Sequence, residues 1–178
     1  MPLSTVFLGL GSNRQRQQHL HAALDALAEL LVDMRCSPVF ESEAVGIQGA
    51  PFYNLAVMGK TTLPLEALSR QLKAIEAANG RYDEPRNGLP LDIDVLFYNQ
   101  LIGDFSGLQL PRAEVLHNAF VLWPLALLAP ETCHPETGQT LAEHWEQARI
   151  QQQLWPVAFE WRGIALTPET LLAQSPPR

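Results

Sequence analysis

The sequence predicts an α/β fold of the α+β kind. It is a ferredoxin-like β-α-β-β-α-β arrangement, an antiparallel sheet with both helices on one face, followed by a C-terminal extension. Three observations carry this. Residues 4–10, 52–62 and 91–98 read as strands, the stretches 18–32 and 64–80 repeat apolar side chains at helical spacing, and the segments follow one another in split-βαβ order. With 178 residues, 47% apolar and 17% charged, the chain suits a single domain over 1–178. Its core is expected over about 4–149 and its extension over 150–178.

The first strand (S-T-V-F-L-G-L) ends at Gly9-Leu10-Gly11-Ser12-Asn13. Leu20, Ala23, Leu24, Leu27, Leu30 and Leu31 then form the buried stripe of a helix over roughly 18–32. A second strand is expected over 34–41, around Val39 and Phe40. Glycines and Pro51 mark 43–51 as a loop, and 52–62 follows as a third strand. Pro64 suits the first turn of the second helix, Leu65, Leu68, Leu72 and Ile75 make its stripe, and Asn79-Gly80 stops it. A polar loop, 81–90, empties into the fourth strand, where Leu91, Ile93, Val95 and Phe97 alternate with the residues between them. Beyond lie a short strand or turn near 108–110, a helical patch around 113–128 interrupted by Pro124, and a helix over about 140–149. The alternation of Val157, Phe159 and Trp161 predicts one extra strand.

The fourth strand carries the chemistry. Period-2 alternation puts Asp92 and Asp94 on one face, ~7 Å apart. Carboxylates held that close repel each other unless a cation sits between or beside them. Oxygen-only ligands favour Mg²⁺, which is usually bound by one or two carboxylates plus substrate phosphates. A solvated strand face would display the same pair, so the metal reading requires both groups to face a cleft instead of being sealed against an arginine. Arg81 and Arg86 stand in the preceding loop, and cations over a Mg²⁺-phosphate centre are what phosphoryl transfer needs. Glu76 comes shortly before, on the second helix. The Val45-Gly46 loop, Phe52, Asn54 and Phe120 supply apolar faces and an amide suited to a flat heteroaromatic ligand.

Several classes are excluded. The G-x-G-S-N turn is neither a P-loop nor a dinucleotide fingerprint, the five histidines form no H-x-x-x-H pattern, and no Ser-His-Asp set can be built. A net charge of −7 argues against general nucleic-acid or membrane-surface binding, so a polyphosphate would need a local basic cluster or a bridging metal. Cys36 and Cys133 form no C-x-x-C pair, and no signal or membrane-spanning segment is evident; a cytoplasmic protein is expected.

The motifs F-L-G-L-G-S-N (7–13), S-P-V-F-E-S (37–42), F-Y-N-L-A-V (52–57), E-A-A-N-G-R (76–81), L-D-I-D-V-L-F-Y (91–98) and F-V-L-W-P-L (120–125) occur in this order. Together they resemble the 6-hydroxymethyl-7,8-dihydropterin pyrophosphokinases over about residues 6–141. The resemblance implies a ferredoxin-like fold and transfer of pyrophosphate from ATP to the pterin's exocyclic hydroxyl in folate biosynthesis, with release of AMP. It implies two Mg²⁺ ions on Asp92 and Asp94, with Arg81 and Arg86 as catalytic cations. The pterin would lie between Phe52 and Phe120, read by Asn54 and by Ser42, Ala44 and Val45. The nucleotide would meet Lys73, Glu76, Arg81, Ile93 and Arg112. A monomer or weak homodimer is expected.

The chain departs from the family pattern on the nucleotide side. Leu89 stands three residues before Asp92 where the family carries arginine, Arg112 follows Pro111 in place of histidine, and Asn118 replaces an arginine near Phe120. These departures leave a second reading, a pterin-binding or regulatory relative with weak or lost transfer activity.

Overall fold

The computed structural model describes residues 2–43, 49–83 and 88–174. The elements run β1 (Ser4–Ser12), α1 (Arg16–Leu30), β2 (Val32–Cys36), β3 (Val39–Ser42), β4 (Phe52–Thr61), α2 (Leu65–Ala78) and β5 (Asp92–Tyr98). There follow the hairpin β6 (Gly103–Phe105) and β7 (Leu108–Leu110), then α3 (Glu114–His117), α4 (Ala119–Leu128) and α5 (Leu141–Gln147). The chain continues through β8 (Leu154–Val157), β9 (Glu160–Trp161), β10 (Ile164–Ala165) and α6 (Glu169–Leu172). Strand order in the main sheet is β5-β1-β4-β3-β8, with β2 also paired to β4, and every pairing is antiparallel.

The strand expected over 34–41 is two strands, because Pro38 has no N–H for the ladder. Ser37 repairs the break: its amide donates to the Ala56 carbonyl at 2.8 Å, and its hydroxyl accepts from the Ala56 amide at 2.8 Å. Both faces of the sheet are covered. Leu20, Ala23, Leu24 and Leu27 of α1 and Leu68 and Leu72 of α2 pack with Leu8, Leu10, Ile93 and Val95. On the other face Leu122, Leu125 and Ala126 of α4 pack with Phe7, Ala56, Leu96 and Phe97. Phe97 therefore does not share a face with Ile93 and Val95, as strict alternation predicts. Phe7 pairs with Phe97 but Leu8 with Val95, so Leu96 is an extra residue that turns the end of β5 over.

The helical patch breaks at Asn118, whose backbone is extended (φ −118°, ψ 119°), and α4 runs through Pro124. The extra strand predicted from alternation resolves into β8 and β9. β8 adds to the edge of β3, Ser42 pairing with Leu154 and Glu41 with Trp155. Among the described residues no helix is long and apolar enough to cross a membrane.

Gly59 of β4 lies under the start of β2: a Cβ there would sit 2.9 Å from the Cβ of Leu31. Because that atom is fixed to the backbone, Gly59→Ala is expected to destabilise the fold by about 1–3 kcal/mol, read as a lowered urea midpoint at unchanged slope. An unchanged midpoint would show that the α1–β2 turn yields without cost.

Candidate functional site

The strands place the two aspartates over the smallest residues of their neighbour. Asp94 pairs with Gly9 and Asp92 with Gly11, so all four positions share one sheet face. A Cβ on Gly11 would lie 3.5 Å from Asn54 Oδ1 and 3.6 Å from Phe52, inside the space these residues enclose. The glycines thus leave open the floor of a cavity of about 150 Å³, walled by Ser42, Phe52, Asn54, Asn118 and Phe120. Asn54 donates to the Ser42 hydroxyl at 2.8 Å, fixing two polar groups of that wall.

A second cleft, of about 550 Å³, opens on the other side of the aspartates. It is lined by Arg70, Lys73, Arg81 and Arg112, along with Glu76, Ile93 and the β6–β7 turn at Ser106-Gly107. Four of the chain's 12 Lys and Arg residues thus gather at one place, where they face four acids, Glu66, Glu76, Asp92 and Asp94, so a chain of charge −7 holds here a local balance of charge. Asp92 and Asp94 line both spaces and are the junction between them.

Local structure explains why the charges converge. Helix α2 ends in a Schellman motif: the Gly80 amide donates to Ala77 O and the Arg81 amide to Glu76 O, with Gly80 at φ +83°. That turn brings Arg81 back beside Glu76, 3.5 Å away. Glu76 is only 5% exposed and is no solvated helix residue. Its carboxylate accepts from the Ile93 amide at 2.8 Å and from the Tyr82 hydroxyl at 2.9 Å, pinning β5 between the two aspartates. Ile93 is itself buried, so its contribution to this network is its backbone amide.

Each aspartate carries an arginine. Arg81 donates to Asp92 at 2.9 Å, and Arg112 reaches Asp94 at 3.2 Å and Glu114 at 3.2 Å. These are not sealed bridges: the Asp92 and Asp94 side chains are 30% and 31% exposed, and both arginines line the open cleft. Burial, then the negative charge of Asp92, pushes the Asp94 carboxyl up to about 8, with Arg112 offsetting part of the rise. Even with Arg112 beside it, Asp94 resists carrying its charge next to Asp92.

Two loop ends are held by Asn13, which the sequence offers only as the last residue of its G-x-G-S-N turn, and by Arg16, which no motif contains. Asn13, 5% exposed, accepts from the Leu89 amide through its side-chain oxygen, donates its backbone amide to Leu89 O at 3.0 Å, and donates its side-chain amide to Ala50 O at 3.1 Å. Arg16 donates to Pro51 O at 2.9 Å and to Glu41 at 2.8 Å, with its guanidinium 3.9 Å over the Tyr53 ring. The chain leaving the 43–51 loop and the chain entering β5 are therefore fastened to the connection between β1 and α1.

Of the residues expected from sequence, Ser42, Phe52, Asn54 and Phe120 meet in the smaller cavity, and Lys73, Glu76, Arg81, Ile93 and Arg112 meet in the larger cleft. Ala44, Val45 and Arg86 lie outside the described residues. Arg70 was missed, although it stands three positions before Lys73 and six before Glu76, the spacing of one helix face. Asn118 entered the sequence reading only as a departure, and its place in the wall had no local signal. No cluster of three or more His, Cys, Asp or Glu suited to a metal occurs among the described residues, so the aspartates stand as a pair.

The sequence model of the 7,8-dihydro-6-hydroxymethylpterin-pyrophosphokinases (HPPK) matches residues 7–130. The chain is 36% identical over 148 residues to the 2-amino-4-hydroxy-6-hydroxymethyldihydropteridine pyrophosphokinase of Pseudomonas aeruginosa, covering 79% of this chain and 90% of that one. It is 30% identical over 158 residues to the folic acid synthesis protein fol1 of Pneumocystis carinii, covering 85% of this chain but only 21% of that longer protein. Its fold is similar to that of Plasmodium falciparum HPPK-DHPS, with a TM-score of 0.67 at 15% identity over 82% of this chain and 43% of the other. With more than half its length matched by the family and this identity to the bacterial relative, the chain belongs to the 7,8-dihydro-6-hydroxymethylpterin-pyrophosphokinase family.

Proposed function

We propose that this chain transfers pyrophosphate from ATP to 6-hydroxymethyl-7,8-dihydropterin, the step of folate biosynthesis named by its family. The observation that carries the proposal is the junction at Asp92 and Asp94, with an aromatic cavity on one side and, on the other, a cleft that gathers Arg70, Lys73, Arg81 and Arg112. A transferase must bring two unlike substrates to one point, and that division supports a pterin on the first side and a triphosphate on the second.

On this reading the pterin ring stacks between Phe52 and Phe120, its edge read by Asn54 and Ser42, which are already bonded to each other. Ala44 and Val45 would complete that edge. Arg81, Arg112, Lys73 and Arg70 neutralise phosphate oxygens, and Arg86 would join them from the loop. Glu76 does not meet phosphate; it holds the Ile93 amide and hence the spacing of the two acids. Two acidic oxygens of a partly exposed pair fit a hard divalent ion that takes its remaining ligands from phosphate and water. Bound there, two Mg²⁺ ions would neutralise triphosphate charge and lower the proton affinity of the pterin hydroxyl. The hydroxyl gives up its proton to solvent water, its oxygen attacks the β-phosphorus to form an O–P bond, and the bridge to the α-phosphate breaks to release AMP. Arg112 and Arg81 release the carboxylates as these ligands arrive, exchanging one anionic partner for another.

The unpaired thiols of Cys36 and Cys133 support a reducing compartment, the cytoplasm. A monomer or weak homodimer suffices, since both cavities are built within one chain.

Incubation with ATP, Mg²⁺ and 6-hydroxymethyl-7,8-dihydropterin is expected to release AMP, and Asp94→Ala to lower the rate by about 10³-fold or more. Pterin binding with no AMP release by the unaltered chain would favour the pterin-binding relative. A second expectation follows from the raised Asp94 carboxyl. Between about pH 4 and pH 8 the folded chain holds a proton there that the unfolded chain has lost, so stability falls as pH rises through that window. In chelator, Asp94→Asn should leave the thermal midpoint unchanged at pH 4. At pH 9 it should raise the midpoint by about 2–4 °C, the size of about 1 kcal/mol in a chain of this length. A midpoint lowered at pH 9 would show that the Arg112 ion pair outweighs the repulsion.

A further inference from the structure

The wall of the pterin cavity is fastened by a residue outside the segment 7–130 that the family model matches. Helix α4 starts at Ala119, which is 1% exposed, and its first amide has no partner inside the helix. Asn118, at the N-cap, makes no side-chain cap to its own helix. Gln152 supplies both missing bonds. Its Oε1 accepts from the Ala119 amide at 2.8 Å, and its Nε2 donates to Asn118 Oδ1 at 3.0 Å. Asn118 and the residues just after it, Phe120 and Val121, line the cavity.

Gln152 is itself anchored. Two residues later β8 begins, and Leu154 pairs with Ser42 on the opposite wall of the same cavity. The segment 152–157 therefore ties together two elements that share no ladder, β3 with its Ser42 and the start of α4 with Phe120. A change in the length or grip of that tie alters the gap between them.

We infer that Gln152 is a positioning residue for the pterin side of the site. Acting through Asn118 and Ala119, it sets where Phe120 stands and so the affinity for the flat ring. This rests on the smaller cavity being the pterin cavity. The larger cleft contains neither Asn118 nor Phe120 among its lining residues, so the nucleotide side should be indifferent to Gln152.

The test is direct binding of 6-hydroxymethyl-7,8-dihydropterin, followed by its fluorescence, and of Mg²⁺-ATP, by calorimetry, to the full chain and to Gln152→Met. Methionine keeps the length and loses both hydrogen bonds. The pterin Kd is expected to rise about tenfold, a large loss of grip by the usual affinity scale, with the Mg²⁺-ATP Kd within about twofold. Gln152→Asn, which stays polar but falls one methylene short, should move the pterin Kd the same way and serves if the methionine variant does not fold. An unchanged pterin Kd in a folded variant, or equal weakening of both ligands, overturns the positioning role. Failure of the unaltered chain to bind the pterin at all overturns the reading of the cavity itself, and with it this inference.

Discussion

The structure is organised by the need to keep two like charges on neighbouring positions of one strand face. Asp92 and Asp94 sit opposite Gly11 and Gly9, partly exposed, with the buried Glu76 carboxylate bonded to the amide between them. Three acidic groups so arranged would drive the strand end apart if nothing opposed them. Arg81 and Arg112 oppose them from the cleft side, and the Schellman turn at Gly80 delivers the first of these to its place. On the proposed function, incoming phosphate and divalent cation would take over this charge balance, the partners being exchanged carrying the same signs.

The sheet serves this balance by holding unlike walls on either side of it. Toward α4 the small residues of β1 leave room for an aromatic ring; toward α2 the same strands border a cleft lined by charged side chains of both signs. The bulge at Leu96 lets β5 do both, since it turns Phe97 into the α4 packing while Ile93 and Val95 stay against α1 and α2. Asn13, just past the end of β1, and Arg16, the first residue of α1, fasten the described ends of both adjoining loops to the β1–α1 connection.

Much of this was legible in the sequence. The order of strands and helices followed from periodicity and from the Pro64 and Asn79-Gly80 punctuation, because those signals are local and strong. The pairing of Asp92 with Asp94 followed from alternation alone. Other features were not legible, for identifiable reasons. The bulge at Leu96 breaks period 2 without a glycine to mark it, and the Pro38 break is concealed by Ser37 bridging the ladder. The roles of Asn13, Asn118 and Gln152 depend on partners 37, 33 or 34 and 76 positions distant, and no spacing rule reaches that far. Arg70 was within reach of helical periodicity, but the apolar stripe of α2 draws the eye to its opposite face.

The central claim, that the aspartate pair exchanges its arginines for metal and phosphate, is tested most directly by a crystal structure of the chain with Mn²⁺ and a non-hydrolysable ATP analogue, using anomalous scattering to place the ions. The account predicts anomalous peaks at Asp92 and Asp94, with Arg81 and Arg112 turned from the carboxylates onto phosphate oxygens. Ions bound elsewhere while both arginines keep their carboxylate partners would contradict it.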